Sequence, residues 1–164
     1  MTLLVHICLA ESLVFAEKPS AWAVFPGGVV IGREYDRLVR REETEPMEEV
    51  TLEPGQTVEL PMLSLRVNYG PAEEIANTKH IFTVNTQGKL VLRSRQAGDT
   101  IRLNAGSRTL KKLFVDRKIP AAMRNLVPVF ADERGVVGVG GIGANVDRLA
   151  EKLPAMQIRI ENIE

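Results

Sequence analysis

From Ala21 onward the sequence is broken into short β-prone runs by turn residues, and this punctuation constrains the fold more than any other feature. Nine Pro and thirteen Gly in 164 residues favour many turns over long elements. "AWAVFPGGVVIGREYDRLVRR" reads as a strand to Phe25, a turn at Pro26-Gly27-Gly28 and a strand from Val29 extending through Tyr35 to Val39. The acidic "REETEPMEEV" reads as a solvated turn between elements. "VTLEPGQTVELP" has the pattern of a hairpin, with Val50 to Leu52 and Val58 to Leu60 flanking Pro54-Gly55, and "LSLRVNY" continues the alternation. Residues 71–80 read as a polar loop, and "IFTVNTQGKLVLRSR" predicts a further strand pair around Gln87-Gly88.

Upstream, Leu3, Leu4, Ile7, Leu13 and Val14 recur near helical spacing and predict one amphipathic helix. The stretch lacks the basic region of a signal peptide, Glu11 interrupts its apolar run, and the run is too short to span a bilayer, so no membrane partner is expected. The helix opens without a cap, which predicts a preceding segment. Cys8 is the only cysteine, so there is no intrachain disulfide framework, and its place on the apolar pattern reads as a small buried residue. With His6 and His80 as the only histidines, no zinc-ligand spacing occurs.

The formal net charge is zero, yet Lys89 to Arg124 holds ten cations against Asp99 and Asp116, a local charge of plus eight. Within that segment Ser107 is placed to cap a helix from Arg108 to about Arg117, after a turn at Gly106. At about 100° per residue, Leu110, Leu113 and Phe114 share one side, while Arg108, Lys111, Lys112 and Lys118 share the other. Such a helix anchors by one face and offers cations with the opposite one. Pro120 suits the first turn of a second short helix, "PAAMRNL", which Pro128 ends, and "VPVF" and "VVGV" predict a hairpin across Asp132-Glu133-Arg134-Gly135. Asp99 is expected to bond backbone N–H groups at the turn after Gly98, and Asp116 to be solvated; neither has a base, nucleophile or oxyanion group placed beside it.

Clustered cations are the electrostatic footprint of nucleic-acid binding, because each phosphate neutralised by Lys or Arg releases condensed counterions. The plain alternative is a solvated helix surface. Few aromatics accompany the cations, which favours backbone contact with a folded duplex over base stacking. Two further readings stand beside this one. The basic face could meet an acidic protein, and "GVGGIG", Gly138 to Gly143, satisfies G-x-G-x-x-G before the helix-like "ANVDRLAEK", with Glu161 about twenty residues on, as in a dinucleotide site. Only 21 residues follow Gly143, too few for a dinucleotide-binding domain.

The segment Leu92 to Phe130, followed by a hairpin and "VGGIGAN", resembles the C-terminal substrate-recognition domain of bacterial tRNA(Ile)-lysidine synthase. The matching features occur together and in order: an Arg-x-Arg-x-x-Gly-Asp start at Arg93, a Lys-Lys-Leu-Phe helix at Lys111, a Lys-Ile-Pro turn at Lys118, and Arg124 before a Pro-bearing strand. "FPGGVVIGREYDRLVRR" is similar to the segment preceding that domain. The resemblance implies a cytoplasmic tRNA-processing ligase that adenylates a wobble cytidine and joins lysine to it, its C-terminal domain holding the acceptor-stem region of the tRNA. It adds Arg93, Arg95 and Arg124 as borders of the tRNA surface already carrying Arg108, Lys111, Lys112 and Lys118, with the facing of those three left open by position alone. The Ser-Gly-Gly-x-Asp-Ser phosphate loop of the family's ATP-pyrophosphatase domain does not occur here. The chain is therefore expected to be the C-terminal part of the ligase, inactive alone, with no cofactor or catalytic residue of its own. ATP and magnesium are expected for the full-length enzyme, and the catalytic domain of the same enzyme is the expected partner; a homodimer is left open. The expected fold is α+β: a helical remnant at 1–20, a β-rich connecting region at 21–88, and a compact strand-helix-helix-hairpin module at 89–164.

Overall fold

The computed structural model describes Glu11, Val14 and residues 20–25, 29–34, 37–41 and 44–163. Glu11 and Val14 are helical and exposed, and the rest of the expected N-terminal helix, like the Pro26-Gly28 turn, lies outside the described residues. β1 (Ser20–Phe25), β2 (Val29–Glu34) and β3 (Arg37–Arg41) form an antiparallel meander. The strand expected to continue from Val29 to Val39 is thus two strands, with Glu34 opposite Arg37.

The remaining strands are β4 (Val50–Leu52), β5 (Thr57–Leu60), β6 (Leu65–Pro71), β7 (Ile81–Val84), β8 (Leu90–Arg93), β9 (Thr100–Leu103), β10 (Gly106–Thr109), β11 (Val129–Asp132), β12 (Gly135–Val139), β13 (Gly143–Ala144) and β14 (Met156–Asn162). Two short helices, α1 (Leu110–Asp116) and α2 (Ala121–Arg124), follow β10. The fold is mostly β-sheet with few helices, not an even mixture of the two. A five-stranded sheet runs β13-β12-β11-β8-β4, a four-stranded sheet runs β5-β6-β14-β7, and β9 and β10 pair as a separate hairpin. Strands from both sides of the expected division at residues 88/89 enter both sheets, since β4 pairs β8 and β14 pairs both β6 and β7. None of the described helices is long and apolar enough to cross a membrane.

Three layers result. Leu52, Leu90, Leu92, Phe130 and Val137 from one sheet meet Val67, Phe82, Val84, Ile158 and Ile160 from the other in the first core. Phe82 and Phe130 meet edge to face there, at a centroid distance of 6.0 Å. On the outer side of the five-stranded sheet, Val129, Val136 and Val139 pack under Ile101 of the hairpin and Leu110, Leu113 and Phe114 of α1, forming the second core. The middle strands β11 and β12 are covered on both faces, which explains why "VPVF" and "VVGV" are apolar without strict alternation.

Two expected hairpins are crossings between sheets. β4 and β5 flank Pro54-Gly55 as expected, but β4 pairs β8 while β5 pairs β6. Likewise β7 and β8 flank Gln87-Gly88, but β7 pairs β14 and β8 pairs β4 and β11. Each turn carries the chain across the first core, so both flanking strands bury apolar side chains against one another face to face. The hairpin of β11 and β12 forms as expected. The acidic segment is pinned and not merely solvated: the Thr44 hydroxyl donates to the Ala122 carbonyl at 2.9 Å, and the Met47 N–H donates to Ser94 Oγ at 2.8 Å.

The glycine-rich segment is packing. A register shift at Phe130/Ala131 leaves Val137 as the extra residue of β12. Val137 then faces the first core while Val136 and Val139 face the second. A Cβ on Gly138 would lie 2.9 Å from two ring carbons of the buried Phe82, and one on Gly140 would lie 2.6 Å from Pro128 Cγ. After Gly143 the chain forms β13 and a single 3-10 turn at Val146–Arg148, where a dinucleotide site needs a helix. Gly138→Ala is expected to cost about 1–3 kcal/mol by overpacking. A urea melt coincident with wild type would show that Phe82 yields freely.

Candidate nucleic-acid interface

The hairpin of β9 and β10 positions α1. Ile101 points into the second core, while Arg102 beside it is exposed, the alternation of a half-covered strand. Ser107 pairs with Arg102 in the ladder and is therefore extended, so the helix cap falls on Thr109 instead. Thr109 Oγ1 accepts the Lys112 N–H at 3.2 Å, and the Leu110 N–H donates to the Asp99 carbonyl at 2.9 Å. Helix α1 begins at Leu110, two residues later than expected, and Arg108 belongs to the strand.

Leu110, Leu113 and Phe114 are buried, and Lys111 and Lys112 are exposed, as the periodicity requires. The helix ends in a Schellman arrangement: Ile119 N–H donates to the Phe114 carbonyl at 3.0 Å and Lys118 N–H to the Val115 carbonyl at 3.0 Å. The residue at the left-handed position is Lys118, with φ of 56°, where glycine is the usual occupant. A side chain there costs about 1–2 kcal/mol of backbone strain, and the Lys118 side chain is exposed just past the helix end.

Five of the seven expected site residues reach the outside. Lys111, Lys112 and Lys118 are exposed on or just after α1. Arg108 is half-exposed and pairs with Asp116 at 2.9 Å; Asp116 is exposed, as expected, and carries this ion pair. Arg95 is partly exposed, with its guanidinium 5.8 Å from the centroid of the Phe114 ring. Arg93 and Arg124 face inward. Arg93 is buried in a bidentate pair with Asp99, at 2.7 and 3.0 Å, and also donates to the Ser94 carbonyl. Asp99 accepts the Gln96 N–H at 2.7 Å in addition, which is the backbone bond expected of it. The Arg-x-Arg-x-x-Gly-Asp motif is thus a clamp: its first Arg and its Asp close the loop that seats the start of α1. Arg124 is half-buried and its Nε donates to the Ile119 carbonyl at 2.9 Å, fastening the turn between the helices.

Two open concavities lie on opposite flanks of α1. One, of about 430 Å³, is lined by Arg95, Lys111, Thr109 and Asn125 beside the clamp loop. The other, of about 420 Å³, lies under the tip of the hairpin, with Arg108 and Arg117 at its edge. Arg102 bonds Asp147 at 3.0 Å across to the 3-10 turn. Arg102 and Arg117 lie outside the expected set of site residues. Alternation with the buried Ile101 would have placed Arg102 outside; nothing local marks Arg117, because an ideal helix through it would turn it inward.

Known proteins bear on this arrangement in three ways. Residues 90–160 match the family described as the TilS substrate C-terminal domain. The tRNA(Ile)-lysidine synthase of Clostridioides difficile is 28% identical over 149 residues, covering 82% of this chain and 32% of the relative, and that of Thermosipho africanus is 30% identical over 97 residues, covering 58% and 21%. The chain spans about a third or less of the length of these relatives. A solved TilS C-terminal domain superposes with a TM-score of 0.62 at 18% identity, covering 73% of this chain and 99% of that one, a likeness of fold. This chain is thus similar in sequence over residues 90–160 to the TilS substrate C-terminal domain, and over 73% of its length it shares the fold of a solved TilS C-terminal domain.

Proposed function

We propose that this chain binds tRNA, holding its acceptor-stem region while the catalytic domain of the same ligase modifies the wobble cytidine. The observation that carries the reading is the two-sidedness of α1: three buried apolar side chains fix the helix to the sheet, and Lys111 and Lys112 project from its outer face between the flanking arginines. Tyr69, Phe82 and Phe114 are buried, which leaves phosphates rather than stacked bases as the natural contacts of this face. Among the described residues no three His, Cys, Asp or Glu side chains are gathered to hold a metal. On this reading ATP and magnesium belong to the catalytic domain of the longer enzyme.

Lys111→Ala/Lys112→Ala is expected to fold normally and to bind tRNA more weakly. In salt titrations its log-log slope should be shallower by nearly two units, on the duplex figure of about 0.9 per phosphate contact. Equal affinities and slopes in two proteins with the same circular dichroism would show that this face is merely solvated. Competition by an acidic protein at the same ionic strength, with no binding of tRNA, would transfer the face to a protein partner.

A further inference from the structure

The concavity under the hairpin tip differs in kind from the helix face. Its lining is mixed: Leu103, Leu113, Ile142 and Val146 supply apolar surface, and Asn77, Thr78, Asn104, Arg108 and Arg117 supply polar groups. A duplex backbone or a bare anion has no use for the apolar part of this lining. A ligand that fits needs a flat apolar body, polar edges, and a negative group within reach of two guanidinium groups. A nucleotide has all three, but a paired one keeps its faces stacked and its edges bonded, so only an unpaired one offers them to a protein. The volume of about 420 Å³ is in the range of small-ligand sites.

The walls are braced. Arg108–Asp116 ties the hairpin to α1 at 2.9 Å, and Arg102–Asp147 ties it to the 3-10 turn at 3.0 Å. Both pairs are well exposed and therefore weak, so Arg108 can exchange Asp116 for a phosphate at little cost. We infer that this concavity takes one unpaired nucleotide of an RNA whose duplex phosphates lie along α1, its base against the apolar side chains of the lining and its phosphate within reach of Arg108 and Arg117. The inference rests on the tRNA reading and adds a second, separable contact to it.

The test compares a blunt RNA duplex with the same duplex carrying a one-nucleotide 3′ or 5′ overhang, by fluorescence anisotropy at fixed salt. Wild type is expected to prefer one overhang duplex over the blunt one by about tenfold, the scale of burying one base face against aliphatic side chains. Asn104→Ala/Arg117→Ala should bind the blunt and overhang duplexes equally, while Lys111→Ala/Lys112→Ala should bind both more weakly and keep the preference. If the pocket variant misfolds, competition on wild type replaces it: a mixture of the four nucleoside 5′-monophosphates should abolish the overhang preference at concentrations where inorganic phosphate does not. Equal affinity of wild type for blunt and overhang duplexes overturns the nucleotide site while leaving the tRNA reading intact. Equal competition by phosphate reduces it to an anion site and also overturns the inference. Failure to bind any RNA overturns both readings.

Discussion

Asp132→Ala is expected to remove about 3–5 kcal/mol of stability, a large part of what holds a domain of this size together. The reason is burial on both sides of an ion pair. The Asp132 side chain is fully buried and Arg148 is 5% exposed; Arg148 Nη1 donates to Asp132 Oδ1 at 2.9 Å, and its Nη2 donates both to Asp132 Oδ2 and to the Asn85 carbonyl. The carboxylate also accepts the Gln87 N–H at 2.7 Å and the Arg134 N–H at 2.9 Å. It therefore joins the β7–β8 crossing, the β11–β12 turn and the 3-10 turn at one end of the sandwich. Truncation would strand a buried guanidinium whose Nε already has no partner among the described residues. Urea melts of wild type and variant at neutral pH measure the loss, and a difference below about 1 kcal/mol, the range of an exposed pair, would refute the burial argument.

The same carboxylate gives the fold a defined acid response. Burial alone would raise its pKa, but the Arg148 hydrogen bond, the Gln87 and Arg134 N–H groups and the Arg148 charge together hold it below the ordinary 3.8. A depressed folded-state pKa means stabilisation fully present above the unfolded value and lost as pH falls through the folded one. The gap between wild type and Asp132→Asn should therefore narrow below about pH 3.8 and stay constant near neutrality. A gap that does not change with acidity would assign the pair's contribution to shape rather than charge.

Asp132 also shows where the sequence stops being readable. Its local pattern, Asp132-Glu133-Arg134-Gly135, spells a turn, and a turn forms there. Nothing nearby says that the carboxylate is buried, because its partner is sixteen residues away and reaches it only once the sheets are stacked. Pro54-Gly55 and Gln87-Gly88 teach the same lesson about strands. Turn residues encode a reversal of direction, and a reversal serves a hairpin and a crossing between stacked sheets equally well; the choice is made by the apolar faces, which must be buried together. By contrast, Leu110, Leu113 and Phe114 were legible because helical periodicity is local. The cap was misplaced by two residues because Ser107 and Thr109 are both good caps, and only the ladder partner of Ser107 decides between them. The motif at Arg93 was visible as a pattern, but its chemistry was not: of its two arginines, one is spent inside on Asp99 and the other lies over Phe114.

Phe114→Ala is expected to cost about 3–5 kcal/mol, the usual range for an aromatic truncated in a core. Phe114 is fully buried, it packs in the second core with Ile101, Val129, Val136 and Val139, and its carbonyl accepts the Ile119 N–H that closes the helix. Its ring also lies under the Arg95 guanidinium, a contact worth about 0.5–1 kcal/mol at an accessible site. α1 has only seven residues and cannot persist as a helix by itself, so its cations are held in register by this core and not by helix propensity. Loss of Phe114 should therefore weaken tRNA binding without removing any charge. Lys111→Ala/Lys112→Ala should do the opposite, removing charge while the helix stays seated. The two variants separate on paired measurements: far-ultraviolet circular dichroism with urea melting, and tRNA affinity against salt. Phe114→Leu, which keeps most of the buried apolar contact, should recover much of the stability and with it the affinity. A Phe114→Ala protein that melts with wild type, or one that melts early yet binds tRNA with unchanged affinity, would break the link between the second core and the basic face.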